Sequence, residues 1–375
     1  MRNACLVIGI VLTASVVFTM VQSMLIPRVR RRPISRIVLT VVALAVRAPL
    51  SLMRNYTFQD RWLSGAAGLA LLLQLVIYVV LLIFSMALII LGTSPLTFGD
   101  SLYQAGATVT TLGIVQPVTN ASTVACFIGA FLGLVVIAVF IGYLMAIYGA
   151  YTDRESPMTR LSLLAGEPAW GPQILVRSHA LGLGSNPIGN ESWISWTCDL
   201  RVNSLVNPVL EWFRSTSPNR HWCVSLLALL DATALQITLS NQKPDAQCIM
   251  LVTEGTLALN AIGNPRKGLE PVTCNWELER ILLDPDSVAD PGDPGITREE
   301  WDHAIEYLIS AGLPAPKDRD RAWQRFATVR SFYAPVAQQI ACTMHAIPAP
   351  WSGPRTPPLA IQWPDMAQTE VQRLP

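Results

Sequence analysis

The sequence predicts an all-α membrane protein whose second half is a helical cytoplasmic domain. Three observations predict it. Uncharged, mainly apolar runs occupy residues 4–20, 62–91 and 124–148, close to or beyond the roughly 20 residues that cross a bilayer. Residues 1–150 contain no Lys and only two acids, Asp60 and Asp100, whereas 151–375 carry the mixed charge of a soluble domain. Beyond Tyr151 the apolar residues recur at helical spacing. Four segments follow: an anchor and basic region (1–61), a membrane domain (62–150), a helical domain (151–346) and a Pro-rich tail (347–375).

The first apolar run extends to residue 26 and is followed by Pro27-Arg-Val-Arg-Arg-Arg32. That is a stop-transfer pattern and not a signal-peptide cleavage site, so the run is expected to stay as an anchor. Arg28, Arg30, Arg31, Arg32, Arg36, Arg47, Arg54 and Arg61 all precede the next long run. Positive loops stay on the cytoplasmic side, which places the N-terminus outside and 27–61 inside. Residues 34–53 have a short apolar core between Arg36 and Arg47. An amphipathic helix lying in the inner interface suits them better than a span. Residues 62–91 then cross outward and 124–148 return, so the C-terminal domain is cytoplasmic. Gly129, Gly133 and Gly142 on the last run serve either close helix packing or a gating hinge.

Between these two runs lie residues 96–109, too short and too polar to cross. They suit a half-helix with Thr97 or Asp100 near its N-terminus, where hydroxyls and carboxylates cap free amides. Its C-terminal end carries partial negative charge and favours a cation. Irregular backbone at membrane depth survives only inside protein or facing a wet cavity.

The next residues, Thr110-Thr111-Leu112-Gly113-Ile114-Val115-Gln116, carry a resemblance. From Phe98 to Tyr148 the chain resembles the pore of the two-transmembrane potassium-channel superfamily, whose motif is Thr-Thr-Val-Gly-Tyr-Gly-Asp. The resemblance implies an outer helix, a re-entrant pore helix and an inner helix. It implies an ion-conducting filter of Thr110, Thr111, Leu112, Gly113, Ile114 and Val115, monovalent cations as the permeant species, and a homotetramer around one axis. The first four motif positions fit, with Leu for Val; the last three do not. A β-branched Val115 at positive φ is an outlier where the family has glycine. The expectation is therefore poor discrimination between K+ and Na+, or no conduction. In the latter case the membrane half is an anchor for a cytoplasmic scaffold or sensor.

In the second half, Trp193, Trp196, Leu200, Leu205 and Val209 share an approximate face, and Ser217-Pro-Asn-Arg-His-Trp222 opens another helix. Residues 222–239 are apolar enough to cross, but Asp231 at their centre favours a helix buried in a bundle. A buried carboxylate needs a partner, and Arg214 or Arg220 is the nearest by sequence. Thr297-Arg-Glu-Glu300 reads as a capping box. Residues 318–346 read as a helix that Pro335 breaks or kinks. Residues 284–295 are an acidic Pro/Gly linker, and 347–375 are expected to be extended or disordered. Pro208-Val-Leu-Glu-Trp-Phe-Arg-Ser215, the run from Trp222 to Leu235, and Ala322 to Tyr333 with Pro348-Ala-Pro-Trp351 resemble the C-terminal region of uncharacterised bacterial ion-channel-like membrane proteins. That resemblance implies a bacterial inner membrane and no known activity.

Other chemistry is thin. The net charge of +1 gives no case for nucleic acid. Seven cysteines without a C-x-x-C pair read as free thiols. His221 with Cys223, and Asp302, His303 and Glu306, lack the second ligand pair that a metal requires. Residues 182–189 depart from a dinucleotide loop in glycine spacing and through Pro187. The tryptophans of the second half read as core. No cofactor, no metal and no enzyme activity are expected.

Overall fold

The computed structural model describes residues 2–24, 40–41, 61–183, 191–240, 243–264, 276–284 and 292–355. The basic cluster 28–54, most of the interfacial segment 34–53, the loop beyond residue 183, most of the 284–295 linker and the tail from 356 lie outside them. All regular structure among the described residues is helical. The chain divides into two units, Met1–Leu52 with Gly65–Gly149, and Met53–Ser64 with Ala150–Pro375.

In the first unit, α1 (Arg2–Met24) and α2 (Ala66–Thr93) lie antiparallel. Three contacts fix their register. Arg2 Nη2 donates to Pro95 O at 3.3 Å, Thr13 Oγ1 to Ser85 Oγ at 3.0 Å, and Ser23 Oγ meets Tyr78 Oη at 2.9 Å. Two glycines let the backbones close. A Cβ on Gly9 would stand 2.7 Å from Ile89 Cγ1, and one on Gly92 2.7 Å from Leu6 Cβ. Small residues at the contact are the usual means of association where the solvent is lipid. A short helix, α3 (Phe98–Val109), precedes α4 (Asn120–Ala165). The core of the unit gathers Met20, Tyr78, Leu82, Met86, Ile90 and Val109.

The polarity change at Tyr151 does not end α4, because a change of surroundings is no helix stop. The helix runs on past Pro157 to Gly166, which takes φ 75°. Glycine alone enters that region freely.

The second unit is a helical bundle. It comprises residues 150–165 of α4, then α5 (Gly171–Ala180), α6 (Glu191–Val206), α7 (Trp222–Leu239), α8 (Ala246–Gly263), α9 (Trp276–Leu283), α10 (Arg298–Ser310), α11 (Arg319–Ser331) and α12 (Ala334–Thr343). Local signals set several boundaries. Thr297 and Glu300 form the reciprocal capping box of α10, Asp318 caps α11, and Pro335 sits in the first turn of α12. At the centre, α7 packs against α5, α8, α11 and α12. Among the described residues, five helical stretches are long and apolar enough to cross a membrane: α1, 61–93, α4, α7 and α8. The most apolar window of α7 is 89 % buried, against 22–33 % for the first three. Its apolar surface is thus covered by protein and needs no lipid.

Asp231 on α7 is buried, and its partner is Arg330, not Arg214 or Arg220. Arg330 Nε donates to Oδ1 at 2.9 Å and Nη2 to Oδ2 at 3.2 Å, while Tyr333 Oη donates to Oδ1 at 2.8 Å. Burial pushes the Asp231 carboxyl upward, and the Arg330 guanidinium pulls it back. The correction has a geometric reason. Arg214 Nη1 reaches His345 O at 3.4 Å and Nη2 reaches Met344 O, at the end of α12. Arg220 meets Glu167 at 3.3 Å and Thr216 Oγ1 at 2.6 Å. A fork-shaped guanidinium matches a carboxylate with two parallel bonds, and α11 brings one directly over α7. Gly171 permits the tight packing on the other side, since a Cβ there would stand 2.8 Å from Asp231 Cβ.

Removing one partner of a buried pair leaves an uncompensated charge. Asp231→Leu in the detergent-solubilised full chain should destabilise the second unit by about 3–5 kcal/mol, and Asp231→Leu with Arg330→Met should recover most of that loss. Denaturant titration followed by tryptophan fluorescence reports this unit, because Trp62 alone of the eleven tryptophans precedes residue 170.

Candidate functional site

The site expected from the sequence is the excursion between α2 and α4. Thr97 begins it. Its Oγ1 accepts from Asp100 N at 3.3 Å and donates to Asp100 Oδ2 at 2.6 Å, and it caps α3 as residue chemistry predicts. Phe98 packs edge-on against Phe84 at 6.1 Å between centroids. The buried face of α3 carries Ser101, Gln104, Ala105, Ala107 and Val109. Gln104 Nε2 reaches Cys126 Sγ on α4 at 3.6 Å.

Two contacts give the excursion its shape. The C-terminal end of α3 touches α4 at Gly133, where an added Cβ would lie 2.3 Å from Val109 O. Gly133 stands some 14 residues into α4 from its cap, roughly 21 Å at the helical rise. The chain then comes back. Thr119 Oγ1 donates to Thr93 O at 2.9 Å, which ties the start of α4 to the end of α2. Thr119 also accepts from Ser122 N at 3.1 Å while Ser122 Oγ accepts from Thr119 N at 3.0 Å, a reciprocal cap that starts α4. Residues 94–118 therefore leave and return to one point.

The turn itself is tight. Thr110 N donates to Gly106 O, Thr111 N to Thr108 O, and both Leu112 N and Gly113 N to Ala107 O, at 2.8–3.1 Å. Positive φ falls on Thr111 (59°) and Gly113 (65°). Val115 does not take the positive φ that would make it an outlier. The left-handed turn comes earlier, where the amides close the end of α3, and β-branched Thr111 bears a cost of about 1–3 kcal/mol. Thr110, Thr111, Leu112, Gly113 and Ile114 are exposed and Val115 is half-buried. Among the described residues, no hydrogen bond is accepted by the backbone carbonyls of 110–118. The stretch thus carries unbonded carbonyl oxygens, beside the equally unbonded amides of Ile114, Val115, Gln116 and Val118, just past a helix end with partial negative charge. Such a set can ligate a cation.

Of the three glycines, Gly129 and Gly133 are packing positions. Gly129 faces Met86 Cε, 3.0 Å from an added Cβ, and Gly133 faces Val109 O. An added Cβ on Gly142 meets nothing within 4 Å. The opposite face of α4 leaves Phe127, Phe131, Leu134, Ile141 and Met145 exposed.

The remaining sequence candidates hold structural posts. His221 Nδ1 accepts from Cys223 N at 3.3 Å and caps α7, and Cys223 Sγ donates to Ala337 O at 3.3 Å. Burial, with Arg214, Arg154 and Arg355 nearby, holds the His221 imidazole well below its usual pKa. Asp302 pairs with Arg298 and Glu306 with Arg319. Among the described residues no group of three or more His, Cys, Asp or Glu is placed to hold a metal, and six cysteines are free thiols. Near residue 154 a buried cluster escaped the sequence reading. Arg154 donates to Leu210 O at 2.9 Å and Phe213 O at 2.8 Å, and it pairs with Glu155. Comparison with protein-family models, with curated proteins and with solved structures finds no match.

The glycines allow a direct check. Gly133→Ala forces α3 away from α4 and should destabilise the chain by about 1–3 kcal/mol, the usual range for overpacking. Gly142→Ala should leave thermal unfolding in detergent unchanged.

Proposed function

We propose that the chain is a cation-channel-like integral membrane protein that works as a homotetramer. In this reading α2 is the outer helix, α3 the pore helix and α4 the inner helix. Residues 110–113, with Ile114 and Val115, line the narrow part and replace the hydration shell of a monovalent cation. The returning excursion of residues 94–118 carries the reading. It ends α3 about 21 Å along α4 and places unpaired carbonyls just beyond it. A polar stretch of that kind inside a bilayer requires a wet cavity or protein around it. Four copies supply that enclosure, and one does not. The loss of the second motif glycine, with Thr111 in its strained turn, supports weak discrimination between K+ and Na+. The arginine-rich stretch 28–61 supports a cytoplasmic side for the loop after α1, with the second unit on that same side, in a bacterial inner membrane.

Purified protein in liposomes tests this. Rb+ and Na+ should both enter, at rates within about ten-fold of each other given a carbonyl site of incomplete geometry. Vesicles that stay tight under every ionic condition would return the chain to an anchored scaffold acting through its second unit.

A further inference from the structure

Of the Pro-rich tail expected to be extended or disordered, residues 347–355 are described, and most of them pack against the second unit. His345 takes φ 50° and turns the chain. Ile347, Ala349, Trp351 and Ser352 are then buried without belonging to any helix. The Trp351 indole lies edge-on to Trp170 at 5.9 Å, beside Phe326 at 5.8 Å, and under the Arg330 guanidinium at 5.7 Å. Its carbonyl accepts from Arg330 Nη2 at 2.7 Å and from Gln338 Nε2 at 3.5 Å. A turn closes behind it, with Ala349 N donating to Ser352 Oγ at 2.8 Å.

This is the way a folded domain holds a short peptide. Two prolines, Pro348 and Pro350, stiffen the segment, an aromatic slot takes one large anchor, and a few side chains bind its backbone. Two further features separate a ligand from a core element. The Asp231–Arg330 pair and the Tyr333 bond to Asp231 are made without the segment, so its departure leaves the hub in place. Trp351 is also held at φ 67°, a genuine outlier for a bulky residue, and release relieves it.

We propose that the second unit is a peptide-binding module whose slot, formed by Trp170, Phe326, Arg330 and Gln338, takes a Pro-x-Pro-Trp segment, and that residues 346–355 occupy it in cis. The site is independent of whether the membrane unit conducts. A chain in which the strap has left can accept the same sequence in trans.

A fluorescent peptide of residues 346–355 and the detergent-solubilised full chain test the proposal. The Trp351→Ala chain, its slot vacated, should bind the peptide. The unaltered chain should bind it about ten-fold or more weakly, because only the fraction with an undocked strap is competent. A peptide carrying Trp351→Ala should bind to neither. Equal binding to both chains, or none to a Trp351→Ala chain of normal helicity, overturns the proposal. Hydrogen exchange on the unaltered chain decides independently of whether that variant folds. Amides at 351–353 should exchange by local opening, about a hundred-fold or more faster than those of α7 and α11. Exchange in step with those helices makes the strap a core element and overturns the proposal.

Discussion

A helix of twelve residues is about 18 Å long, and the hydrocarbon core of a bilayer is about 30 Å thick. In the proposed membrane placement, that mismatch is the constraint on the first unit. α3 cannot complete a crossing, so a chain that enters with it must come back. The return is built from short-range chemistry: a threonine cap at the start, four amides folded onto the end of α3, and Thr119 bonded to Thr93 O where α4 begins. Gly133 gives the end of α3 a seat against α4. What remains without a bond is a stretch of carbonyls and amides between Thr110 and Val118, and lipid tolerates neither. The proposed pore is the arrangement that gives them water or an ion.

The second unit answers the same question with charges. α7 is covered by protein along its apolar length, and its one carboxylate is satisfied by Arg330 and Tyr333. Arg330 also reaches Pro294 O and Trp351 O. One guanidinium thus joins α7, α11, the segment before α10 and the strap. Such a pair is costly to desolvate and more costly to break, which makes it a device for specifying one packing.

Local chemistry was legible in the sequence, and long-range choice was not. The cap at Thr97, the capping box at Thr297 and Glu300, the break at Pro335 and the small-residue face of Gly129 and Gly133 each depend on residues a few positions apart. The need of Asp231 for a cation was legible too. Its partner was not, because Arg330 lies 99 residues away and nearer arginines were equally plausible on charge alone. The left-handed residues at Thr111 and Gly113 were not legible for a related reason: the hydrogen bonds that close α3 set them. The burial of residues 346–352 was not legible, because proline content describes a segment's stiffness and not whether a slot awaits it. Gly9 and Gly92 gave no sequence signal, since glycine in an apolar helix is common and only the partner's backbone shows its use.

Membrane sidedness of the excursion tests the central claim most directly. Leu96→Cys and Pro117→Cys, each introduced into a chain whose native cysteines are replaced by serine, can be labelled in sealed right-side-out vesicles with a membrane-impermeant maleimide. A chain that enters and returns exposes both positions on the outer face. Labelling of one from outside and of the other only after the vesicles are opened would mean that residues 96–117 cross the membrane, and would contradict the account.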